Sequence, residues 1–106
     1  MKECCRQYLS EQVGGDADML NAIYADYAAS VRDKAAEVAA AFDARQWETL
    51  DRAAHAIKGI ALSAGDGEMA QLAISLREAV KAHGTDGGMQ DASRLVSEMR
   101  QMSAAL

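Results

Sequence analysis

An all-α fold, an up-down antiparallel four-helix bundle with a short N-terminal cap helix, is predicted by three features of the chain. Its 106 residues include no proline, so nothing in the composition forces a helix to end or kink early. Apolar residues return at three- and four-residue steps through long runs, the spacing of a helix face and not of a strand. Half of the residues are apolar but only 5% are aromatic, and alanine supplies much of the apolar share. Thin side chains of this kind suit helices packed closely on one another. At this length the chain is expected to form one domain over residues 1–106.

The first element is a short amphipathic helix from about Lys2 to Val13, with Tyr8, Leu9 and Val13 as its expected buried side. Gly14-Gly15 ends it, and Asp16 is a good N-cap for the next. From Ala17 the set Leu20, Ile23, Tyr24, Tyr27, Val31, Val38 and Phe42 recurs at helical steps to about Ala44. That run predicts one helix of about 28 residues, about 42 Å long, with room for a bend near Arg32-Asp33. Asp43 to Gln46 is a tight connection, and Trp47 opens a helix that stops at Gly65-Asp66-Gly67. The following helix carries Met69, Leu72, Ala73, Leu76 and Val80 on one stripe and ends at His83-Gly84. Gly84 to Gly88 reads as a loop with its own capping candidates, and the last helix carries Ala92, Leu95, Val96, Met99 and Met102. Short loops between long amphipathic helices make sequential neighbours antiparallel.

A formal charge of −5 argues against nucleic acid or an anionic membrane as the main partner. No apolar run approaches the roughly 20 residues of a membrane span, and the N-terminus shows no signal-peptide core. A soluble, cytoplasmic protein is expected. Cys4 and Cys5 are adjacent and are the only cysteines, which suits two reduced thiols near a frayed terminus better than a bridge or a zinc site.

The stretch Leu50 to Gly65 holds the one well-placed histidine. On a helical wheel Leu50, Ala54, Ile57, Ala61 and Ala64 fall within roughly 40° of one direction, a core stripe. His55 lies roughly 140° from that direction, Gly59 roughly 180° and Leu62 roughly 120°. Lys58 sits at the border, one turn from His55. Most solitary surface histidines are only that, but the residues sharing this face suit one chemistry. An exposed imidazole is a neutral nucleophile near pH 7. If it accepted a phosphoryl group, Lys58 could offset part of the added charge as a mobile cation. Gly59 costs a helix roughly 1 kcal/mol relative to alanine, which is easier to understand if a partner approaches closely there. Leu62 then reads as docking surface, against the ordinary alternative of an isolated exposed leucine.

Asp51, four residues before His55, could orient the ring, although such an aspartate is more often a solvated charge. Arg52 is expected to face solvent, with a contribution to the local positive field as the alternative role. His83 is expected to interact with the C-terminal dipole of its helix, Met69, Met99 and Met102 to pack in the core, and Trp47 to anchor its helix there. No phosphate-binding glycine loop, nucleophile elbow or H-E-x-x-H motif is present. The chain could hold a phosphoryl group but has no evident means of taking one from ATP.

The run His55-Ala56-Ile57-Lys58-Gly59, with Gly65 ten residues after the histidine, resembles the H-x-[LI]-K-G…G signature of histidine-containing phosphotransfer (HPt) domains. Gly14-Gly15-Asp16 with Met19-Leu20 and Tyr27 is similar to that family's entry into its first long helix. Met69, Ala73 and Leu76 fall on its apolar pattern downstream, so the resemblance covers roughly residues 9 to 85. It implies that His55 takes a phosphoryl group from a receiver-domain aspartyl phosphate and passes it to another receiver's aspartate. Lys58 would stabilise the phosphorylated form and Gly59 would allow close approach, with Asp51, Arg52 and Leu62 around the docking face. No cofactor is implied for the chain itself, because the receiver would supply Mg²⁺ and an acidic pocket. Response-regulator receivers or a hybrid sensor histidine kinase are the implied partners, and a monomer is expected. Ile60, Leu62, Asp66 and Arg77 depart from the family's usual residues, a small polar group, polar groups, alanine and glutamate respectively, and bear on partner identity.

Two other readings compete. A non-phosphorylated helical-bundle interaction module would use the same face only to bind. A metal- or cofactor-holding bundle would need inward His/Glu pairs three residues apart, and the sequence lacks them.

Overall fold

Three of the five helix starts fall where a side chain takes up a free N–H of the first turn. The computed structural model describes all 106 residues. It contains five helices and no strand: α1 (Glu3–Gln12), α2 (Ala17–Asp43), α3 (Trp47–Ser63), α4 (Gly67–Lys81) and α5 (Asp86–Ala104). Asp16 caps α2 by accepting from the Met19 N–H at 3.1 Å. Asp66 caps α4 by accepting from Met69 at 3.2 Å, and the Thr85 hydroxyl caps α5 by accepting from Gly88 at 3.0 Å. The last cap corrects a boundary. Gly87 and Gly88 lie inside the first turn of α5, not in a loop. Gly88 is required there, because a Cβ would come within 2.0 Å of the Ala82 carbonyl oxygen.

The helical stripes meet as their spacing requires. Leu50, Ile57, Met69, Leu76, Met99, Val31 and Val38 are the large apolar side chains with no exposed surface. α2 packs against α3 and α5, and α4 packs against the same two, so the four longer helices close a ring around this core. α1 packs on α2. α2 runs from Ala17 to Asp43 without a break at Arg32-Asp33. The molecule is elongated, 48 × 19 × 18 Å, close to the length of its longest helix.

The buried face of α1 is not the expected one. Cys5 and Leu9 are buried, Val13 is half-buried and Tyr8 is 40% exposed. Cys5 is therefore no frayed thiol; burial, with Asp66 adding to it, pushes its pKa up to about 12. Tyr8 lies instead over the α3–α4 turn, where Gly65 has φ +72° and a Cβ would come within 2.5 Å of the Tyr8 Cβ. Glycine serves both needs at that position, the left-handed backbone and the room for α1.

A buried polar knot fastens the same end. The Asp66 carboxylate has no exposed surface and accepts from the Lys2 ammonium at 2.6 Å and the Tyr27 hydroxyl at 2.6 Å, besides its cap bond. It ties α1, α2 and α4 through one side chain. Burial works against the Lys2 charge, but the Asp66 hydrogen bond and charge outweigh it and raise the Lys2 pKa. Burial, followed by the same carboxylate, raises that of Tyr27. Asp66, read from the sequence as part of a helix stop and as a departure bearing on partner identity, is thus a structural centre. At the other end Trp47 is half-buried, edge-on to Phe42 at 5.9 Å and stacked on His83 at 4.2 Å. His83 lies just past Ala82, the C-cap of α4, and packs on an aromatic face.

Candidate functional site

The rotation of α3 is set by its core stripe: Leu50, Ala54, Ile57 and Ala61 have no exposed surface and Ala64 almost none. A helix pinned on that side must turn His55, Gly59 and Leu62 to solvent, and all three are exposed. Leu62 is 54% exposed, one of four large apolar residues so placed. Beside Gly59 no atom outside its own helix lies within 4 Å of where a Cβ would stand, so the surface is open there. Lys58 is half-buried and takes part in no ion pair, leaving its ammonium uncommitted. Arg52 is exposed.

Asp51 and His55 are joined by a residue from the neighbouring helix. Arg77 of α4 donates from Nε to Asp51 Oδ1 at 2.9 Å and from Nη2 to Oδ2 at 3.3 Å, a forked pair. Its third nitrogen, Nη1, lies 3.0 Å from His55 Nδ1. The Arg77 hydrogen bond holds the Asp51 carboxyl below the usual carboxylate range, against a smaller effect of burial, with the charges of Arg77 and Lys81 helping. The same bond raises the Arg77 guanidinium. A carboxyl with a depressed pKa stays ionised across neutral pH, so the pair is lost only as pH falls through that depressed value. Asp51 is neither a free surface charge nor a direct partner of the ring; it reaches the ring through Arg77. His55 Nε2 makes no hydrogen bond with the protein.

A groove of about 400 Å³ runs from this cluster toward the start of α3, lined by Trp47, Glu48, Asp51, Arg52, Val80, Lys81 and His83. Arg52 and Lys81 line the groove together with Glu48 and Asp51, so its lining carries as many anions as cations. No three His, Cys, Asp or Glu side chains converge as a metal site would require.

The family model of the Hpt domain matches residues 22–106. The chain belongs to the Hpt domain family. The matched segment begins within α2 and includes the whole of α3, α4 and α5, leaving out the Gly14-Gly15-Asp16 entry motif. Hpt domains are phosphotransfer carriers of two-component phosphorelays and interact with receiver domains. No curated protein and no solved structure matches the chain significantly. No helix is long and apolar enough to cross a membrane.

The residue that sequence reasoning missed in this Hpt domain is Arg77. Position 77 stood out only as a departure from the family's usual glutamate, with no role attached. Its place on His55 follows from the packing of α4 on α3, which the periodicity of either helix alone does not contain.

Proposed function

We propose that this Hpt domain is a phosphorelay carrier whose phosphoacceptor is His55. The lone pair of a ring nitrogen attacks the phosphorus of a receiver's aspartyl phosphate. The acyl P–O bond breaks, the aspartate leaves as a carboxylate, and a phosphoramidate remains on the ring. The reverse step delivers the group to a second receiver's aspartate. The observation that carries the reading is an exposed imidazole opposite the α3 core stripe, with open surface at Gly59 and uncommitted Lys58 one turn away. Lys58 offsets charge on the phosphoryl group, and Gly59 admits the partner's backbone or carboxylate. Asp51, Arg52 and Leu62 form the docking surface around them.

In this reading the four longer helices form an up-down antiparallel bundle with α1 as its cap. The closed ring of packing pairs and the short connections support that arrangement. The chain acts as one domain and as a monomer, since its apolar stripes are covered by its own helices. Mg²⁺ is assigned to the partner receiver in this reading. The partners are response-regulator receivers or a hybrid sensor kinase, and the protein works in the cytoplasm without nucleic acid or membrane insertion.

Radiolabelled phosphoryl transfer tests the reading. A phosphorylated cognate receiver is expected to label the protein, and acetyl phosphate alone to label it poorly. The label is expected to be acid-labile and base-stable, as for a phosphoramidate. A partner that binds firmly while no donor transfers any label would instead establish the competing interaction module.

A further inference from the structure

The contact between Arg77 and His55 has a direction. A guanidinium carries five N–H donors and no acceptor. The 3.0 Å contact between Nη1 and Nδ1 is therefore a hydrogen bond that His55 Nδ1 accepts with its lone pair. In the neutral ring the proton must then sit on Nε2. That leaves no nucleophile facing outward: the lone pair on Nδ1 is taken by Arg77, and the nitrogen with no protein partner bears the hydrogen. Arg77 is held to this geometry by its forked pair with Asp51, and side-chain exposures of 28% and 37% leave the cluster reachable by solvent.

We infer that Arg77 is a positioning residue that keeps His55 in a non-nucleophilic tautomer until an incoming phosphoryl group draws its guanidinium away. The inference rests on the phosphotransfer reading above. Arginine binds phosphate oxygens in the same forked manner as carboxylate oxygens, so an aspartyl phosphate brought to the ring competes directly for Nη1. Release of Nδ1 lets the ring proton move, through solvent at this exposed site, from Nε2 to Nδ1. Asp51, one turn back on the same helix, is then available to accept from Nδ1–H. Nε2 now holds the lone pair, attacks phosphorus, and the acyl P–O bond breaks with departure of the carboxylate. The proton stays on Nδ1 throughout that step. The device makes the acceptor reactive only toward a phosphoryl group that arrives where Arg77 can reach it, and so discriminates against donors that approach the ring from elsewhere.

Long-range ¹H–¹⁵N correlation spectra of the full chain read the tautomer without any donor. The wild type is expected to carry its neutral-ring proton on Nε2. Arg77→Glu replaces a donor with an acceptor and is expected to move the proton to Nδ1, and Arg77→Met removes both and is expected to give a mixture. Transfer from a phosphorylated receiver supplies the second reading. At saturating receiver, both variants are expected to accept phosphoryl about three- to tenfold faster, the scale of losing one hydrogen bond of ordinary net strength. Half-saturation is expected to need more receiver, because the guanidinium's phosphate contact is gone. A purely structural role would produce no such split. A wild-type proton on Nδ1 overturns the inference, as do variants that keep both the wild-type tautomer and the wild-type saturating rate. A wild type that takes no label from any receiver overturns the phosphotransfer reading itself, and the inference with it.

Discussion

Asp66→Ala is expected to lower the unfolding free energy by about 2–4 kcal/mol, although Asp66 is far from any chemistry the protein performs. Three losses combine. The Met69 N–H loses its cap, about 1 kcal/mol, and the buried Tyr27 hydroxyl loses its acceptor, about 1–3 kcal/mol. Lys2 loses its partner too, but its side chain is 22% exposed and can turn to water, so that loss adds little. Thermal unfolding should register a drop on the order of 10–20 °C. Asp66→Asn keeps an oxygen for the cap and should recover a substantial part of the loss. If Asp66→Ala melted with the wild type, the knot that ties α1, α2 and α4 would be a bystander to folding, and the account of that end would be wrong.

Gly59→Gln is expected to move stability and function in opposite directions. A glycine within a helix is about 1 kcal/mol less favourable than a good helix former, and nothing outside its own helix stands within 4 Å of the new Cβ. The variant should therefore melt a few degrees higher, roughly 4 °C or more. Phosphoryl acceptance from a receiver should fall on the order of a hundredfold, because a misplacement of about 1 Å at a reacting centre has that effect. Melting and single-turnover transfer, measured on the same preparation, check both signs. A variant that is more stable and still fully active would mean that nothing approaches the ring across Gly59, and the docking face would have to be sought elsewhere.

Much of this could be read from the sequence, for a definite reason. Core stripes on long helices repeat several times, so one misread residue does not rotate the face. Leu50, Ala54, Ile57, Ala61 and Ala64 are buried as a set, and that alone turns His55 outward. α1 has only ten residues, and there the reading failed: Cys5, not Tyr8, faces inward with Leu9. Fewer than three turns do not average out an error, and the face of α1 is decided by Gly65 and Asp66, which lie more than fifty residues away in sequence. Gly87 and Gly88 read as a loop because glycine disfavours helix, yet the Thr85 cap and the close approach to Ala82 override that preference.

The site divides along the same line. His55, Lys58, Gly59 and Leu62 share one helix, and their common face is a matter of angle. Arg77 comes from a second helix and meets His55 only through the register in which α4 lies on α3, which is set by the packing of side chains between them. Asp51 belongs to both cases. Its position one turn before His55 was visible, but its actual partner was not.

The most direct measurement is the location of the phosphoryl group. Wild type and His55→Gln, incubated with the same phosphorylated receiver, can be compared by intact mass and by fragmentation under conditions that preserve phosphoramidates. The account predicts that wild type gains one phosphoryl group, localised to His55, and that His55→Gln gains none while still binding the receiver. A His55→Gln chain that takes up the group as well as wild type, or a wild type carrying it on any other residue, would contradict the assignment of His55 as the carrier.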